Sequence, residues 1–450
     1  MYDPKIFKAY DIRGIYPDQL DEDVAYKIGR AVVEFLKADT LVLGRDMRLS
    51  GEKLFKAAAQ GIVDGGADVI DVGMVSTPLA YFAIADYGHE GGIIISASHN
   101  PSKYNGFKIC RERAIPISGE TGLLEIKHLV EKGKFEKKPS GQLIRTGVLD
   151  DYVSKILSLI DKRRWKDAKR LKIVADFGNG MGAKTLSNIF KTLGVKMLTI
   201  YSEPDGSFPN HEPNPLKEEN LKTLKKLVLK EKADFGLALD GDADRVGFVD
   251  EKGETVTGDI ITALLSKEIL KDNPGAKIIY DLRSSRATAE EIQKAGGIPI
   301  EYKVGHALIK EKMRKEGVVF AGELSMHFYF RDFYGVENSD LAILKIAELV
   351  LVEKKSLSEL ARPIKRYFHT GEINFEVKDK EGKIKKIEEK YGALQSAKVS
   401  HLDGLKVEFS DWWFSLRASN TEPLLRLNLE AKTKKLMEEK KQEIVGLIQG

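Results

Sequence analysis

One pattern occurs three times in this chain. A short β-branched run breaks into a polar turn, a helix with apolar spacing follows, a glycine-containing stop ends it, and a second apolar run closes the unit. It begins at Leu41 (LVLGRDMRLSGEKLFKAAAQGIVDGGADVIDVG), at Leu171 (LKIVADFGNGMGAKTLSNIFKTLGVKMLTIY) and at Lys277 (KIIYDLRSSRATAEEIQKAGGIPIEY). The switch from strand-like to helical period and back marks each as a βαβ unit. The units start roughly 130 and then roughly 105 residues apart, which fits three ordinary α/β domains better than one large sheet. The C-terminal part differs. GEINFEVKD, GLKVEFSDWWFSLRAS and LLRLNLEA read as strands and TKKLMEEKKQEIVGLIQ as a closing helix, an α+β pattern. The expected fold is therefore α/β: three similar α/β domains with mixed sheets and a smaller C-terminal α+β domain. Boundaries are expected at 1–147, 148–250, 251–366 and 367–450, the first lying beyond the unpatterned, basic stretch EKGKFEKKPSG (131–141).

Composition narrows the function classes. At 450 residues, 42% hydrophobic and 31% charged, the chain is too apolar for a disordered protein and too interrupted by charge for a membrane one. The 72 basic and 68 acidic residues leave a net charge of +4, too small and too evenly spread to point to nucleic acid. Cys110 is the only cysteine, so an intramolecular disulfide and a cysteine-rich zinc site are excluded and a reducing compartment is expected. The start MYDPK lacks the basic stretch and apolar core of a secretory segment. The most apolar stretch, Leu341–Val352, contains Lys345 and Glu348 and reads as an amphipathic helix too short to span a bilayer. A cytoplasmic protein with no membrane partner is expected.

Two segments carry most of the chemistry. In GGIIISASHNPSKYNGFKI (91–109), the continuous apolar run Ile93–Ile95 should place Ser96 to Ser98 at the carboxyl end of a buried strand, where open α/β sheets hold their ligands. Ser98 precedes a Pro-bounded turn. No G-x-S-x-G elbow surrounds it, and His99 as its sequence neighbour should project away, so acceptance of a phosphoryl group suits it better than acyl transfer. A plain Ser-Asn-Pro turn is the alternative. In ADFGLALDGDADRVGFVDEKG, Asp240, Asp242 and Asp244 lie between two apolar runs. Three carboxylates so close would repel unless a hard divalent cation held them, and oxygen-only ligation favours Mg²⁺. An EF-hand fits poorly: Glu251 falls at the twelfth position, but Arg245 stands where Gly is needed and the flanks are strand-like.

Weaker signals surround these. LRASNTEPLLRL offers Arg417, hydroxyls and backbone N–H groups as an anion cradle, or a plain hairpin turn. GELSMH (322–327) places Glu323 and Ser325 at alternate positions as a sugar-diol clamp. KVGHALIK brings Lys303 and His306 to the turn at Gly305, and both side chains can move protons when their pKa values are tuned. Gly178, Gly180 and Ala183 satisfy the form of a dinucleotide fingerprint, with Glu203 downstream. Asp176 and Asn179 crowd that turn, and a dehydrogenase would leave the triple-Asp loop without a role.

Taken in order from KAYDIRG (8–14) to RASNTEP (417–423), these motifs resemble the α-D-phosphohexomutase superfamily, in particular its phosphomannomutase/phosphoglucomutase members. The resemblance implies three similar α/β domains and a smaller fourth enclosing one cleft. It makes Ser98 the phosphoserine and, with Asp240, Asp242 and Asp244, a ligand of one Mg²⁺. It assigns Glu323, Ser325 and His327 to the sugar, and Arg417, Ser419, Asn420 and Thr421 to the non-transferred phosphate. Tyr10, Arg13, Lys108, Arg245, Lys303, Gly305 and His306 fall among its active-site contacts. The activity it implies is interconversion of hexose 1-phosphate and hexose 6-phosphate through a hexose 1,6-bisphosphate, with mannose or glucose as the sugar. The small-molecule sugar phosphates would be the partners, and a homo-oligomer is left open. Phosphoglucosamine mutases share SASHNP, but typically carry Gln where Leu324 stands here. Met326 departs from the family form GEMSGH, in which this position is Gly, and a bulky side chain there is expected to narrow the clamp or reorient His327. A rival from another class is a phosphatase with an Asp nucleophile at Asp240 and Asp242.

Overall fold

A computed structural model describes residues 3–418 and 424–450. Each repeated unit forms the parallel heart of its own sheet. In the first domain these strands are β1 (Ile12–Ile15), β2 (Thr40–Arg45), β3 (Asp68–Met74), β4 (Gly91–Ile95), β5 (Tyr104–Arg111), β6 (Ile115–Pro116) and β7 (Leu143–Arg145), in the order β1-β5-β4-β2-β3-β7 with β6 on β5. The second domain contains β8 (Lys172–Asp176), β9 (Lys196–Ile200), β10 (Phe235–Leu239), β11 (Val246–Asp250) and β12 (Thr255–Val256), ordered β12-β11-β10-β8-β9. The third has β13 (Lys277–Asp281), β14 (Ile298–Tyr302), β15 (Phe320–Gly322), β16 (Phe328–Phe330) and β17 (Val336–Glu337), ordered β14-β13-β15-β16-β17.

The plan is the same each time. A central strand (β2, β8, β13) has one parallel neighbour on either side, and the second of these (β4, β10, β15) turns back into an antiparallel strand (β5, β11, β16). The three turns are residues 96–103, 240–245 and 323–327, the serine segment, the triple-Asp loop and GELSMH. The three site loops therefore occupy equivalent places, each at the carboxyl end of a strand buried along its whole length. The second sheet runs past the expected boundary at 250, because Thr255–Val256 pairs with β11.

The C-terminal domain is an antiparallel sheet of β18 (Phe368–His369), β19 (Ile373–Glu376), β20 (Lys398–Ser400), β21 (Leu405–Glu408), β22 (Trp412–Ala418) and β23 (Leu424–Ala431). The helices Lys380–Tyr391 and Lys434–Gln449 supply Ile387, Tyr391, Met437, Ile444 and Ile448 to a core that belongs to this domain alone. The first three domains instead share a continuous apolar cluster that includes Ile94, Phe248 and Phe320. At its centre lies the helix Thr77–Asp86, buried from Thr77 to Ile84, as an all-round apolar helix must be. Ser339–Glu353 is a second such helix. Its Glu348 is buried and paired with Arg164 at 3.4 Å, so this stretch is not amphipathic as its charges suggested. Among the described residues no helix is long and apolar enough to cross a membrane.

Two helices of the first domain, Glu22–Leu36 and Gly51–Asp64, touch backbone to backbone. A Cβ on Gly61 would stand 2.1 Å from the Tyr26 carbonyl oxygen, and one on Gly29 2.3 Å from that of Ala58. Gly61→Ala is expected to lower stability by about 1–3 kcal/mol through overpacking, read as a lower urea midpoint at unchanged slope.

Candidate active site

Ser98 is buried and left-handed, with φ +50°. Its N–H donates to Ser96 Oγ at 2.9 Å. The turn is moored by Arg48, whose guanidinium donates to the carbonyl oxygens of Ser98 (2.8 Å), Asn100 (2.6 Å), Pro101 (2.9 Å) and Tyr104 (2.8 Å). Arg48 is itself paired with the buried Asp46 at 3.2 Å. A charged fork that satisfies four backbone acceptors holds a strained loop far better than neutral turn contacts do. The left-handed backbone also corrects the expectation for His99: Nδ1 lies 3.3 Å from Ser98 Oγ rather than on the opposite side, since strand alternation ends at this residue. Burial, with Arg245 and Arg13 nearby, holds the His99 pKa well below the usual histidine value, so the ring is neutral.

Ser98 Oγ donates to Asp240 Oδ2 at 2.8 Å, joining the first domain to the second. Asp240 Oδ1 accepts the backbone N–H groups of Asp244 (3.1 Å) and Arg245 (3.2 Å), which curls the loop around it. Oxygens of Asp240, Asp242 and Asp244 lie within 4.8 Å of one another, and all three residues are buried. Oδ1 of Asp242 and Oδ1 of Asp244 are buried and have no hydrogen-bond partner among the described residues. Orphaned carboxylate oxygens in a cluster of three acids are what a hard divalent cation requires, so the residues present fit Mg²⁺. Two contacts from the first domain steady the cluster: Thr77 Oγ1 donates to Asp242 Oδ2 (2.6 Å), and Lys108 Nζ bridges Asp242 (2.6 Å) and Asp244 (2.5 Å). Burial and the other two carboxylates push the Asp240 pKa well up. Lys108 and His327 outweigh burial at Asp244 and hold its pKa well down. Burial would lower the Lys108 pKa, but Asp242 and Asp244 raise it, so Lys108 is a fixed cation.

The third domain contributes a carboxylate–imidazole pair. Glu323 Oε2 meets His327 Nδ1 at 2.9 Å and accepts from Tyr329 OH at 2.6 Å, while Oε1 accepts from Gly305 N–H at 3.3 Å. Arg245 Nε donates to His327 Nε2 at 3.1 Å, and Asp244 Oδ1 is 3.5 Å from the same nitrogen. The Arg245 contact favours a lone pair on Nε2 and the Asp244 contact a proton there, so the two compete for one nitrogen, while Nδ1 directs its proton at Glu323. Burial and Arg245 act against a second proton, but Asp244 and Glu323 prevail and raise the His327 pKa to about 9. Glu323 is correspondingly pushed down to about 2, against the effect of its burial, by His327 and Arg283.

These groups face one cleft of about 640 Å³ whose walls include Tyr10, Arg13, Ser98, Lys108, Asp244, Arg245, His306, His327 and Arg417. Arg13 donates to Asn100 Oδ1 at 2.7 Å and pairs with Asp11. The His306 ring lies edge-on to Tyr10 at 5.8 Å, and burial with Lys310 and Lys108 nearby pushes its pKa well down. Arg417, on β22, brings the fourth domain to the cleft, within 3.7 Å of Glu372. Ser419, Asn420 and Thr421 lie outside the described residues. Lys303 is exposed and does not line the cleft. Glu323 is buried and its oxygens are already engaged, while Ser325 Oγ is 3.4 Å from His327 Nδ1.

Sequence reasoning missed Arg48, Thr77, His99 and Arg283. Arg283 pairs with the buried Asp281 at 2.6 Å, and Asp281 Oδ2 accepts Leu324 N–H at 2.8 Å, which pins the GELSMH turn. The signal for Arg48 and Arg283 was the Asp/Arg-bearing turn that follows the first strand of the repeated unit, GRDMR and YDLRSS. The dinucleotide-like turn proves to be steric. A Cβ on Gly180 would stand 2.7 Å from the Gly241 carbonyl oxygen, so this turn is packed against the triple-Asp loop. Glu251 binds Ser358, away from the acids.

Known proteins agree with this architecture. Residues 4–137, 150–253 and 257–367 match alpha/beta/alpha domains I, II and III of Phosphoglucomutase/phosphomannomutase, and residues 372–447 match its C-terminal domain. The chain is 43% identical over 435 residues to a phosphomannomutase of Escherichia coli, covering 95% of this chain and 94% of that one. It is 42% identical over 449 residues to a phosphomannomutase of Methanocaldococcus jannaschii, covering 99% and 98%. A crystal structure of a phosphoglucomutase/phosphomannomutase family protein from Burkholderia thailandensis superposes with a TM-score of 0.90 at 35% identity, over 99% of this chain and 97% of that one. Four domain matches in unbroken order, near-full-length relatives and a serine set against three acids lead to one conclusion: the chain belongs to the phosphoglucomutase/phosphomannomutase family.

Proposed function

We propose that this protein is a phosphohexomutase that interconverts hexose 1-phosphate and hexose 6-phosphate, with mannose or glucose as the sugar, through phospho-Ser98 and a hexose 1,6-bisphosphate. The observation that carries the reading is the meeting of Ser98 Oγ with the acid cluster at 2.8 Å, in a cleft to which all four domains contribute. The names of the relatives favour phosphomannomutase over the phosphoglucosamine alternative.

In the forward half-reaction the bond between phosphorus and Ser98 Oγ breaks, a sugar hydroxyl oxygen takes the phosphoryl group, and the hydroxyl proton leaves. Bound Mg²⁺, held by Asp240, Asp242, Asp244 and Ser98, would offset charge on the transferring group. The protein's own contribution is positioning and fixed charge. Arg48 fixes the serine turn, Lys108 and Arg245 present cations beside the acids, and Arg417 offers the non-transferred phosphate a guanidinium. His306, on the cleft wall and kept neutral by its lowered pKa, is placed to receive the proton, while His327, held between Asp244 and Glu323 with its pKa raised, adds a fixed positive charge. After the bisphosphate turns over, its other phosphate returns to Ser98 by the reverse steps.

An Asp-nucleophile phosphatase is disfavoured by the same geometry, because Asp240 is turned onto Ser98 and Asp242 is held by Thr77 and Lys108. Coupled assays of glucose, mannose and glucosamine 1-phosphates with Mg²⁺ decide between these readings. The expected result is formation of the 6-phosphate of mannose or glucose, stimulated by a trace of hexose 1,6-bisphosphate. Net release of inorganic phosphate without isomerisation would contradict it.

A further inference from the structure

Met326 lies in the sugar-reading turn with φ +69°, a conformation that burdens a residue with a side chain and leaves glycine unburdened. The side chain is 5% exposed and does not line the cleft. It therefore neither narrows the clamp nor displaces His327, whose contact with Glu323 is intact at 2.9 Å. It turns the other way, into the second domain. Its sulfur stands 3.0 Å from the point where a Cβ on Gly247 would be, and Pro215 Cβ is 3.1 Å from that point. Gly247 is the second residue of β11, the strand that leaves the triple-Asp loop. A thioether thus fills the space that the missing side chain of Gly247 leaves beneath Pro215.

The backbone reinforces this contact. Met326 N–H donates to the Glu323 carbonyl at 3.0 Å, closing the turn, and the Met326 carbonyl accepts Val246 N–H at 3.2 Å. One residue further on, Arg245 and His327 face each other in an isolated antiparallel bridge. The sugar-reading turn is therefore fastened to the exit of the acid loop along three consecutive residues, with Met326 as its apolar anchor.

We propose that Met326 is a positioning residue. By occupying the space over Gly247, it sets the distance between the Glu323–His327 pair of the third domain and the Asp244–Ser98 assembly of the other two. The proposal rests on the mutase reading for its effect on rate, and on packing alone for its coupling to Gly247. Flexible, unbranched methionine suits an irregular gap of this kind, and left-handed strain retained at a site loop points to a use for the side chain.

The test is a set of four variants, Met326→Gly, Met326→Leu, Gly247→Ala and Gly247→Ala/Met326→Gly, assayed for mutase kcat and KM and for melting temperature. Met326→Gly relieves the backbone but empties the gap. Its kcat is expected to fall about 10- to 100-fold, the scale of a misplaced catalytic group, with KM for the monophosphate changed less than about threefold. Met326→Leu should recover kcat to within about threefold. Gly247→Ala should be impaired by collision with the sulfur, and the double variant should be less impaired than the two singles combined, in both kcat and melting temperature. Wild-type kcat in Met326→Gly overturns the proposal. So does a fall in melting temperature with unchanged kcat per folded molecule, which would make Met326 a filler of the core. Independent, additive effects at 247 and 326 overturn it as well. If the wild type shows no mutase turnover, the functional reading fails, while the melting-temperature cycle still reports on the contact.

Discussion

Ser98→Ala is expected to abolish interconversion of the sugar phosphates, lowering kcat on the order of 10⁴-fold or more, the scale on which removal of a covalent nucleophile acts. The change should leave the fold intact. Among the described residues Ser98 Oγ donates to Asp240 alone and faces His99, whereas the turn is held by Arg48 through backbone carbonyls that alanine retains. Binding of hexose monophosphate should survive, since Arg417, Arg245 and Lys108 do not depend on the hydroxyl. The pair of results, ligand binding without turnover, separates a lost phosphoryl carrier from a collapsed site. Retained activity in Ser98→Ala, measured by the coupled assay at saturating bisphosphate, would contradict the mechanism.

Asp242→Asn is expected to have the second-largest effect, a loss in kcat/KM of roughly 10²–10³-fold, as when one preorganised electrostatic partner is removed. Asn keeps the volume and an acceptor for Thr77, so the defect should lie in charge rather than shape. Two readouts besides rate follow. The affinity for Mg²⁺ by calorimetry should drop, and the rise in melting temperature that Mg²⁺ confers on the wild type should shrink, because a ligand stabilises the folded state in proportion to its affinity for it. Lys108 would then share one fewer carboxylate, and its ammonium would remain paired with Asp244 alone. Unchanged Mg²⁺ affinity in Asp242→Asn would show that the orphaned Oδ1 atoms are not a metal site.

Much of this architecture was legible in the chain because hydrophobic period is a local property. The three βαβ units appear where the alternation of strand and helix period placed them, at β2–β3, β8–β9 and β13–β14. The serine and acid segments were legible for the same reason, as polar breaks after wholly buried strands. What was not legible depends on contacts between distant segments. That Ser98 touches Asp240 joins residues 142 positions apart, and nothing in either segment encodes the approach. Arg48 carried no local signal of its role, because its four carbonyl partners lie 50 to 56 positions further along the chain. His99 was misplaced by assuming strand alternation where the backbone is left-handed. Glu348 read as the wet face of a helix, but Arg164 neutralises it in the interior. Lys303 was grouped with His306 by proximity in sequence, yet the turn at Gly305 sends one to solvent and the other to the cleft.

The proposed mechanism turns on Ser98 carrying a phosphoryl group between the two ends of one sugar. The most direct test is to incubate the protein with hexose 1,6-bisphosphate, remove the ligand, locate the modification by intact mass and peptide mapping, and then chase with hexose 1-phosphate. A single phosphate is expected on the peptide containing Ser98, discharged to bisphosphate at a rate no slower than turnover. A phosphate on any other residue, or one on Ser98 that does not discharge at the catalytic rate, would contradict it.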